Sequence, residues 1–462
     1  MFTNSNLNIS NRKDKLVMQR DLTSGSVTKG MLLFAGPMIL GNLLQQLYNV
    51  ADTLIVGQFL GAGPLAAVGS SFTLMVFLTS IILGLCMGSS VVFSMLYGAK
   101  REEDLKTSFF IAFVFIAAVT LMINTLAFAF IDPLLRVLQI PTAILEDTRA
   151  YLLIIFGGIG FTFIYNYFAS LLRGIGNSVV PLVFLAVSAI LNIVLDLVLI
   201  LRFNMGVSGA ALATITAQGV SAVSIGIYSF LKIPALRLKC THLRFDRAIV
   251  QDVVQYSLLT CVQQSIMNFG ILMIQGLVNS FGVSVMAAFA AAVKIDSFAY
   301  MPVQDFGNAF STYIAQNYGA GKADRIQKGI RCAILTALVF CLFISVIVFF
   351  FGSSLMLIFV RPEETEIIAV GTGYLKIEGA CYCGIGCLFL LYGLYRGIGR
   401  PGISVVLTVI SLGTRVALAY LLAPLPAVGL LGIWWAIPIG WFLADITGLL
   451  YWRFRHRQLM PG

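Results

Sequence analysis

Charge is scarce in this chain. Asp, Glu, Lys and Arg together make up 11% of its 462 residues, against 59% hydrophobic residues, and mean hydropathy is +0.94. That balance lies outside the range of soluble domains and excludes a water-soluble enzyme or binding module. Histidine is nearly absent: His242 and His456 are the two present, and both fall in segments that read as cytoplasmic. A histidine proton relay inside the membrane is therefore excluded, and a membrane enzyme built on a His or metal centre is disfavoured, so no enzymatic activity is expected. The eight cysteines are scattered, and Cys381, Cys383 and Cys387 lie inside one apolar run. Such spacing matches neither a zinc site nor a disulfide framework, and these residues read as small packing groups. The first thirty residues lack an apolar core followed by a small-residue cleavage site, so no cleaved signal peptide is expected and the first span directs its own insertion. Alternating strands are missing as well. The apolar runs are continuous, which excludes a barrel, and an open sheet cannot sit in lipid.

What the chain does have is length of apolar sequence. A hydrocarbon layer about 30 Å thick takes about 20 apolar residues per helix, and twelve such runs are centred on 31–56, 66–90, 108–131, 150–171, 179–201, 209–230, 256–279, 285–310, 332–359, 374–394, 402–422 and 430–452. The fold expected is an all-α polytopic membrane protein. Its net charge of +10 and pI near 9.2 raise the question of nucleic acid, but the 30 Lys and Arg sort by side. With the N-terminus inside, 23 are cytoplasmic, four lie outside (Arg136, Arg149, Arg202, Arg361) and three fall within spans (Lys294, Lys376, Arg415). This is the positive-inside asymmetry; it places both termini in the cytoplasm and leaves no case for nucleic-acid binding.

The chain also contains itself twice. Tyr151–Gly176 returns at Tyr374–Gly399 with a constant offset of 223, matching Arg173 to Arg396, Gly174 to Gly397 and Gly176 to Gly399. Upstream the offset is 221, and Tyr97-Gly98-Ala99-Lys100 falls on Tyr318-Gly319-Ala320-Gly321. Two homologous six-helix lobes follow. The expected organisation is a cytoplasmic tail over 1–30, a first lobe over 31–230, a cytoplasmic linker over 231–255, a second lobe over 256–453 and a short tail over 454–462. The Arg-Gly-Ile-Gly stretches read as tight turns whose glycines accept positive φ; with no preceding strand and no following Walker lysine, they are not phosphate cradles. No ATP site is visible.

Polar residues inside the spans carry the functional argument. In the first span, Gln45 and Asp52 are seven apart and share a helix face. An ionised Asp at lipid depth costs at least a few kcal/mol and by default marks function. The fifth span places Asn192 and Asp196 four apart on one face, and the sixth adds Thr214, Thr216 and Gln218. The second half does not repeat these carboxylates: Met273 stands opposite Asp52 and Ala419 opposite Asp196. It carries Lys294, Asp296, Asp305, Glu378 and Arg415 instead, with Arg415 aligned on Asn192. These opposite charges read either as a pairing within the lobe or as contacts to substrate or ion.

Taken together, the paired halves, the Val50-Ala51-Asp52-Thr53 end of the first polar pattern, the paired Arg-Gly-Ile-Gly turns and the paired Tyr-Gly-Ala motifs resemble the multidrug and toxin extrusion (MATE) family, over about Gly30 to Trp452. The resemblance implies two lobes packed as a V around a central cavity that opens alternately to either side. It also implies antiport of H⁺ or Na⁺ against organic, often cationic, amphiphilic drugs in a cell membrane, without a cofactor or an obligate protein partner. In the prokaryotic members a first-lobe cluster takes the coupling ion, and its residues match Gln45, Asp52, Tyr151, Asn192, Asp196 and Thr214. Asp52, Asn192, Asp196 and Thr214 supply the oxygens that Na⁺ would need. Two nearby carboxyls also suit a proton, because both cannot ionise cheaply side by side. A helix 7 glutamate important in another branch is replaced here by the stretch Cys261-Val262-Gln263-Gln264-Ser265, which favours the first lobe for coupling. The rival reading is a flippase or exporter of a lipid-linked precursor, which would call for several basic residues around a pyrophosphate.

Overall fold

The computed structural model describes residues 20–137, 140–237, 239–426 and 428–460, and no strand occurs among them. The helices are α1 (Val27–Phe59), α2 (Ala62–Gly98), α3 (Glu102–Ala129), the short α4 (Ile131–Val137), α5 (Leu145–Gly174), α6 (Val179–Leu197) and α7 (Gly206–Lys232). They continue as α8 (Arg247–Asn279), α9 (Val283–Gly319), α10 (Ala323–Met356), α11 (Thr365–Ala380), α12 (Tyr382–Gly397), α13 (Pro401–Leu422) and α14 (Gly429–Leu459). Among the described residues 11 helices are long and apolar enough to cross a membrane, or 12 if a bent pair counts as one span. The bent pair is α11 and α12, which meet at 54°. The tenth apolar run is thus a broken helix. At the break the backbone tightens to three-residue turns, Cys381 N to Glu378 O at 2.9 Å and Gly384 N to Cys381 O at 2.8 Å.

The chain divides into two compact units. The first takes in Gly36–Cys261, and the second takes in Leu22–Ala35 with the chain from Val262 onward. In the first unit α5 packs on α2 and α7, around a core that includes Phe93, Phe109, Phe156, Leu172 and Ile225. Close approach of α2 to the start of α8 depends on glycine: a Cβ at Gly84 would stand 2.6 Å from the Cys261 Cα. Ser89 and Ser257 then bridge the same two helices at 2.7 Å. In the second unit α9 packs on α12 and α13 on α14, with Phe289, Phe310, Tyr313 and Trp434 fully buried. Large apolar side chains such as Leu335, Phe343 and Phe350 on α10 point out of the protein, as expected where the solvent is hydrocarbon and gives no reason to hide them.

The repeated turns match in conformation. Gly176 has φ of 90° and Gly399 of 84°, whereas Gly174 and Gly397 end their helices with ordinary φ. Only the second glycine of each Gly-Ile-Gly therefore supplies a positive φ. The first allows close packing, with the Phe93 Cβ 3.1 Å from a Cβ built on Gly174.

Two segments expected as cytoplasmic connections are held against the helices by hydrogen bonds. Arg12, Lys13 and Lys15 lie outside the described residues, but the end of the expected tail is not solvated. Leu22 is 2% exposed and Thr23 8%, because the α9–α10 turn offers donors to their backbone: Arg325 reaches the carbonyls of Leu22, Ser24 and Gly25, and Lys322 that of Thr23 at 2.8 Å. The linker is likewise pinned. His242 is buried, accepts at Nδ1 from Lys239 N (2.8 Å) and faces Glu103 through Nε2 (2.7 Å), and helix resumes as early as Arg247.

Candidate functional site

In the first unit, polar groups from α1, α5, α6 and α7 meet. Asp196 is fully buried near the end of α6, just before a π-turn over Val198–Arg202 closed by Phe203 N to Val198 O at 3.2 Å. Such turns commonly mark functional positions in helices. Asn192, one helical turn earlier, is best oriented with its amide nitrogen donating to Asp196 Oδ2 at 3.0 Å. Its oxygen then accepts from Thr214 Oγ1 at 3.3 Å and Thr214 N at 3.2 Å; that orientation is assigned from the network. Asp52, from α1, stands within hydrogen-bonding reach of Asp196. Tyr151, from α5, lies beside both carboxyls, 3% exposed and wedged among Val56, Ile155, Ile200 and Val207.

The arrangement is rich in acceptors and poor in donors. Oδ1 of Asp52 and Oδ1 of Asp196 are both buried without a hydrogen-bond donor, and among the described residues neither carboxylate takes part in an ion pair. Two carboxylates in contact, with no cation beside them, require a proton or a cation between them. Gln45 does not join this group; it sits on α1 with an exposed side chain. Tyr48 does join it, with its hydroxyl beside Thr214 and Asp52. Sequence reasoning passed it over, although its place four residues before Asp52 puts it on the same helix face.

The second unit holds a different cluster at the α11–α12 break. The Tyr382 hydroxyl donates to Asp296 Oδ1 at 2.7 Å, and Glu378 is within hydrogen-bonding reach of Asp296 and Tyr374. Tyr374 is held by aromatic packing, its ring 4.9 Å from Trp434 and 5.4 Å from Phe289. Arg415 supplies the positive charge that acts on both acids, but it is not in ion-pair contact with either, and its Nε is buried without an acceptor. Lys294 and Lys376 are exposed and stand apart from this cluster, while Asp305 is buried elsewhere on α9. Of the second-lobe residues singled out by sequence, the fold therefore gathers Asp296, Glu378 and Arg415. The tyrosines around them were missed; Tyr374 was detectable as the repeat mate of Tyr151. No group of three or more His, Cys, Asp or Glu suited to a metal ion occurs among the described residues.

A family model described as MatE matches residues 37–198 and 260–421. The chain belongs to the MatE family. The two matched segments cover α1–α6 and α8–α13, so the family pattern itself runs once through each half. Among curated relatives in the family, the chain is 30% identical to the probable multidrug resistance protein YpnP of Bacillus subtilis, covering 95% of this chain and 98% of that one. It is 26% identical to the probable multidrug resistance protein NorM of Thermotoga maritima (88% of each) and 23% identical to the multidrug export protein MepA of Staphylococcus aureus N315 (92% and 93%). Solved structures share the fold: a MOP superfamily transporter from Pyrococcus furiosus and an outward-facing multidrug resistance MATE transporter each align with a TM-score of 0.89 at 24% identity, over 95% of this chain and 98% of theirs.

Proposed function

We propose that this MatE protein is a secondary multidrug efflux transporter. It exports amphiphilic, cationic organic compounds in exchange for H⁺ or Na⁺ across a bacterial cell membrane, with both termini in the cytoplasm. The observation that carries the reading is the meeting of Asp52 and Asp196 from two different helices, each with a buried oxygen that lacks a donor. The names of the relatives, multidrug resistance and multidrug export proteins, support efflux as the activity.

The chemistry follows from the donor set. A proton taken between the two carboxyls, or Na⁺ held by them with Asn192 and Thr214, removes the repulsion between the carboxyls and so changes how closely α1 and α6 can pack. Coupling then requires that ion and drug prefer opposite states of the transporter, because a ligand shifts only an equilibrium between states that it binds unequally. A membrane potential of 100 mV supplies roughly 2.3 kcal/mol for each charge moved inward. Export of a lipid-linked precursor is the weaker reading. With Lys294 and Lys376 exposed and standing apart, Arg415 is the one basic side chain at the second cluster among the described residues, too little to hold a pyrophosphate.

The test is efflux of ethidium from proteoliposomes under an imposed pH gradient or an imposed Na⁺ gradient. One gradient is expected to drive export by the wild type and to fail with Asp52→Asn and Asp196→Asn. Unchanged transport by both variants would remove the first cluster from the coupling mechanism; a wild type that moves no cation under either gradient would overturn efflux itself.

A further inference from the structure

Besides Asp305, one more buried acid belongs to neither cluster. Asp445 lies on α14 in the apolar run Trp441-Phe442-Leu443-Ala444-Asp445-Ile446 and is 5% exposed. Its partner is the thiol of Cys387 on α12, while its Oδ1 has no donor at all. Tyr392, also on α12, lies beside it, but the Tyr392 hydroxyl is engaged with Thr408 of α13. The nearby guanidinium of Arg396 is committed elsewhere, to Asn308 Oδ1 at 2.8 Å and the Tyr392 carbonyl at 3.3 Å. Among the described residues no cation forms an ion pair with Asp445. The remaining titratable neighbour is Cys341 of α10, on the far side of Cys387.

The internal repeat shows that the fold does not need these polar groups. At the offset of 223, Cys387, Tyr392, Thr408 and Asp445 fall on Ile164, Ala169, Leu185 and Ala222. All four matching positions in the first unit carry apolar side chains, with Ala222 fully buried. A carboxyl where the fold asks only for a methyl is a cost without a structural return, and inside a membrane span that is the mark of a working ionisable group.

We propose that Asp445, held by Cys387, is a proton-binding site of the second unit, separate from both carboxyl clusters. The donor set selects the proton. One carboxyl, one thiol and two hydroxyls already bonded to each other offer too few free oxygens for a hard cation such as Na⁺. A protonated Asp445 needs no counter-charge, whereas the ionised form has a single weak donor and must draw in water or shift its neighbours. Exchange of the proton therefore changes what α12, α13 and α14 must accommodate where they meet.

The site can be read without any transport assay, so its failure is distinct from failure of the efflux reading. Infrared difference spectra of the protein in lipid nanodiscs, recorded as the pH is stepped from mildly acidic to alkaline, report the carbonyl stretch of protonated carboxyls. A component that disappears with rising pH is expected in the wild type and in Asp52→Asn, and is expected to be missing in Asp445→Asn. Cys387→Ala removes the hydrogen bond to the carboxyl and is expected to shift the position of that component, because a carbonyl stretch reports the hydrogen bonding of its group; this second variant decides the matter if Asp445→Asn fails to fold. The proposal is overturned if the Asp445→Asn spectrum superimposes on the wild type at every pH, if the component does not change with pH, or if Cys387→Ala leaves the component at its wild-type position.

Discussion

The two units are built from one repeated sequence and place their charges by opposite rules. In the first, Asp52 and Asp196 meet from α1 and α6 with amide and hydroxyl neighbours and no cation. In the second, the matching positions are Met273 and Ala419, the acids move to α9 and α11, and an arginine replaces Asn192. Only the tyrosine is retained, Tyr151 in one and Tyr374 in the other. An acid pair without a cation has an unmet requirement that a passing ion can satisfy. One that already has Arg415 nearby and the Tyr382 hydroxyl at 2.7 Å is closer to internal balance. Duplication thus supplied one scaffold twice, and substitution left the acceptor-rich pocket on one side.

The largest expected effect would break this contrast outright. Asp196→Asn is expected to lower gradient-driven efflux on the order of 100-fold, the upper range of a coupling free energy, while Glu378→Gln lowers it by about tenfold or less. Ethidium efflux rates from proteoliposomes decide it. Equal losses would mean that both clusters carry the ion and that the asymmetry of charge is not an asymmetry of function.

Arg415→Asn sharpens the contrast from the other side, since it writes the first-unit residue into the second unit. Removing the one cation leaves Asp296 and Glu378 facing each other, which is expected to cost about 2 kcal/mol, less than the full penalty of a broken buried pair because Arg415 is only half-buried and not in contact. A lowered thermal midpoint, restored by Arg415→Lys or by adding Glu378→Gln, is the expected pattern. Next in size is Tyr382→Phe, which deletes the donor to Asp296 and is expected to cost about 1.5 kcal/mol, the range of a hydrogen bond to a charged group. Tyr151→Phe, whose hydroxyl lies beside the acids with no side-chain hydrogen bond among the described residues, should cost distinctly less in the same thermal assay.

The fold was legible because lipid imposes it: twelve continuous apolar runs admit little except helices, and the offsets of 223 and 221 announce the repeat. The first cluster was legible as far as carboxylates and amides stand out in apolar sequence, which found Asp52, Asn192, Asp196 and Thr214. Tyr48 and Tyr382 were not, because a tyrosine in a membrane helix is unremarkable until its hydroxyl is seen to face an acid. Gln45 shows the reverse error: sharing a face with Asp52 does not bring a residue seven positions away into the same cluster. The bend between α11 and α12 escaped because nothing in Gly379-Ala380-Cys381 interrupts the apolar run; only the turn hydrogen bonds around Cys381 reveal it. Asp445 was overlooked in plain view.

The smallest effect separates two turns that the sequence makes identical. Gly176 and Gly399 both sit at positive φ, 90° and 84°, so replacing either with alanine forces an L side chain into left-handed backbone at about 1 kcal/mol. The surroundings differ, however. Arg20 N donates to Gly176 O at 3.1 Å, and a Cβ on Gly176 would collide with the Arg20 carbonyl. Gly176→Ala is therefore expected to lower the thermal midpoint more than Gly399→Ala, and trimming the chain through Arg20 should bring the two variants level. If the two substitutions cost the same in the full-length protein, the Arg20 contact carries no weight and the turns are equivalent in energy as well as in sequence. If Gly399→Ala costs more, the second turn bears a constraint beyond its own backbone conformation, and the assignment of strain to φ alone fails.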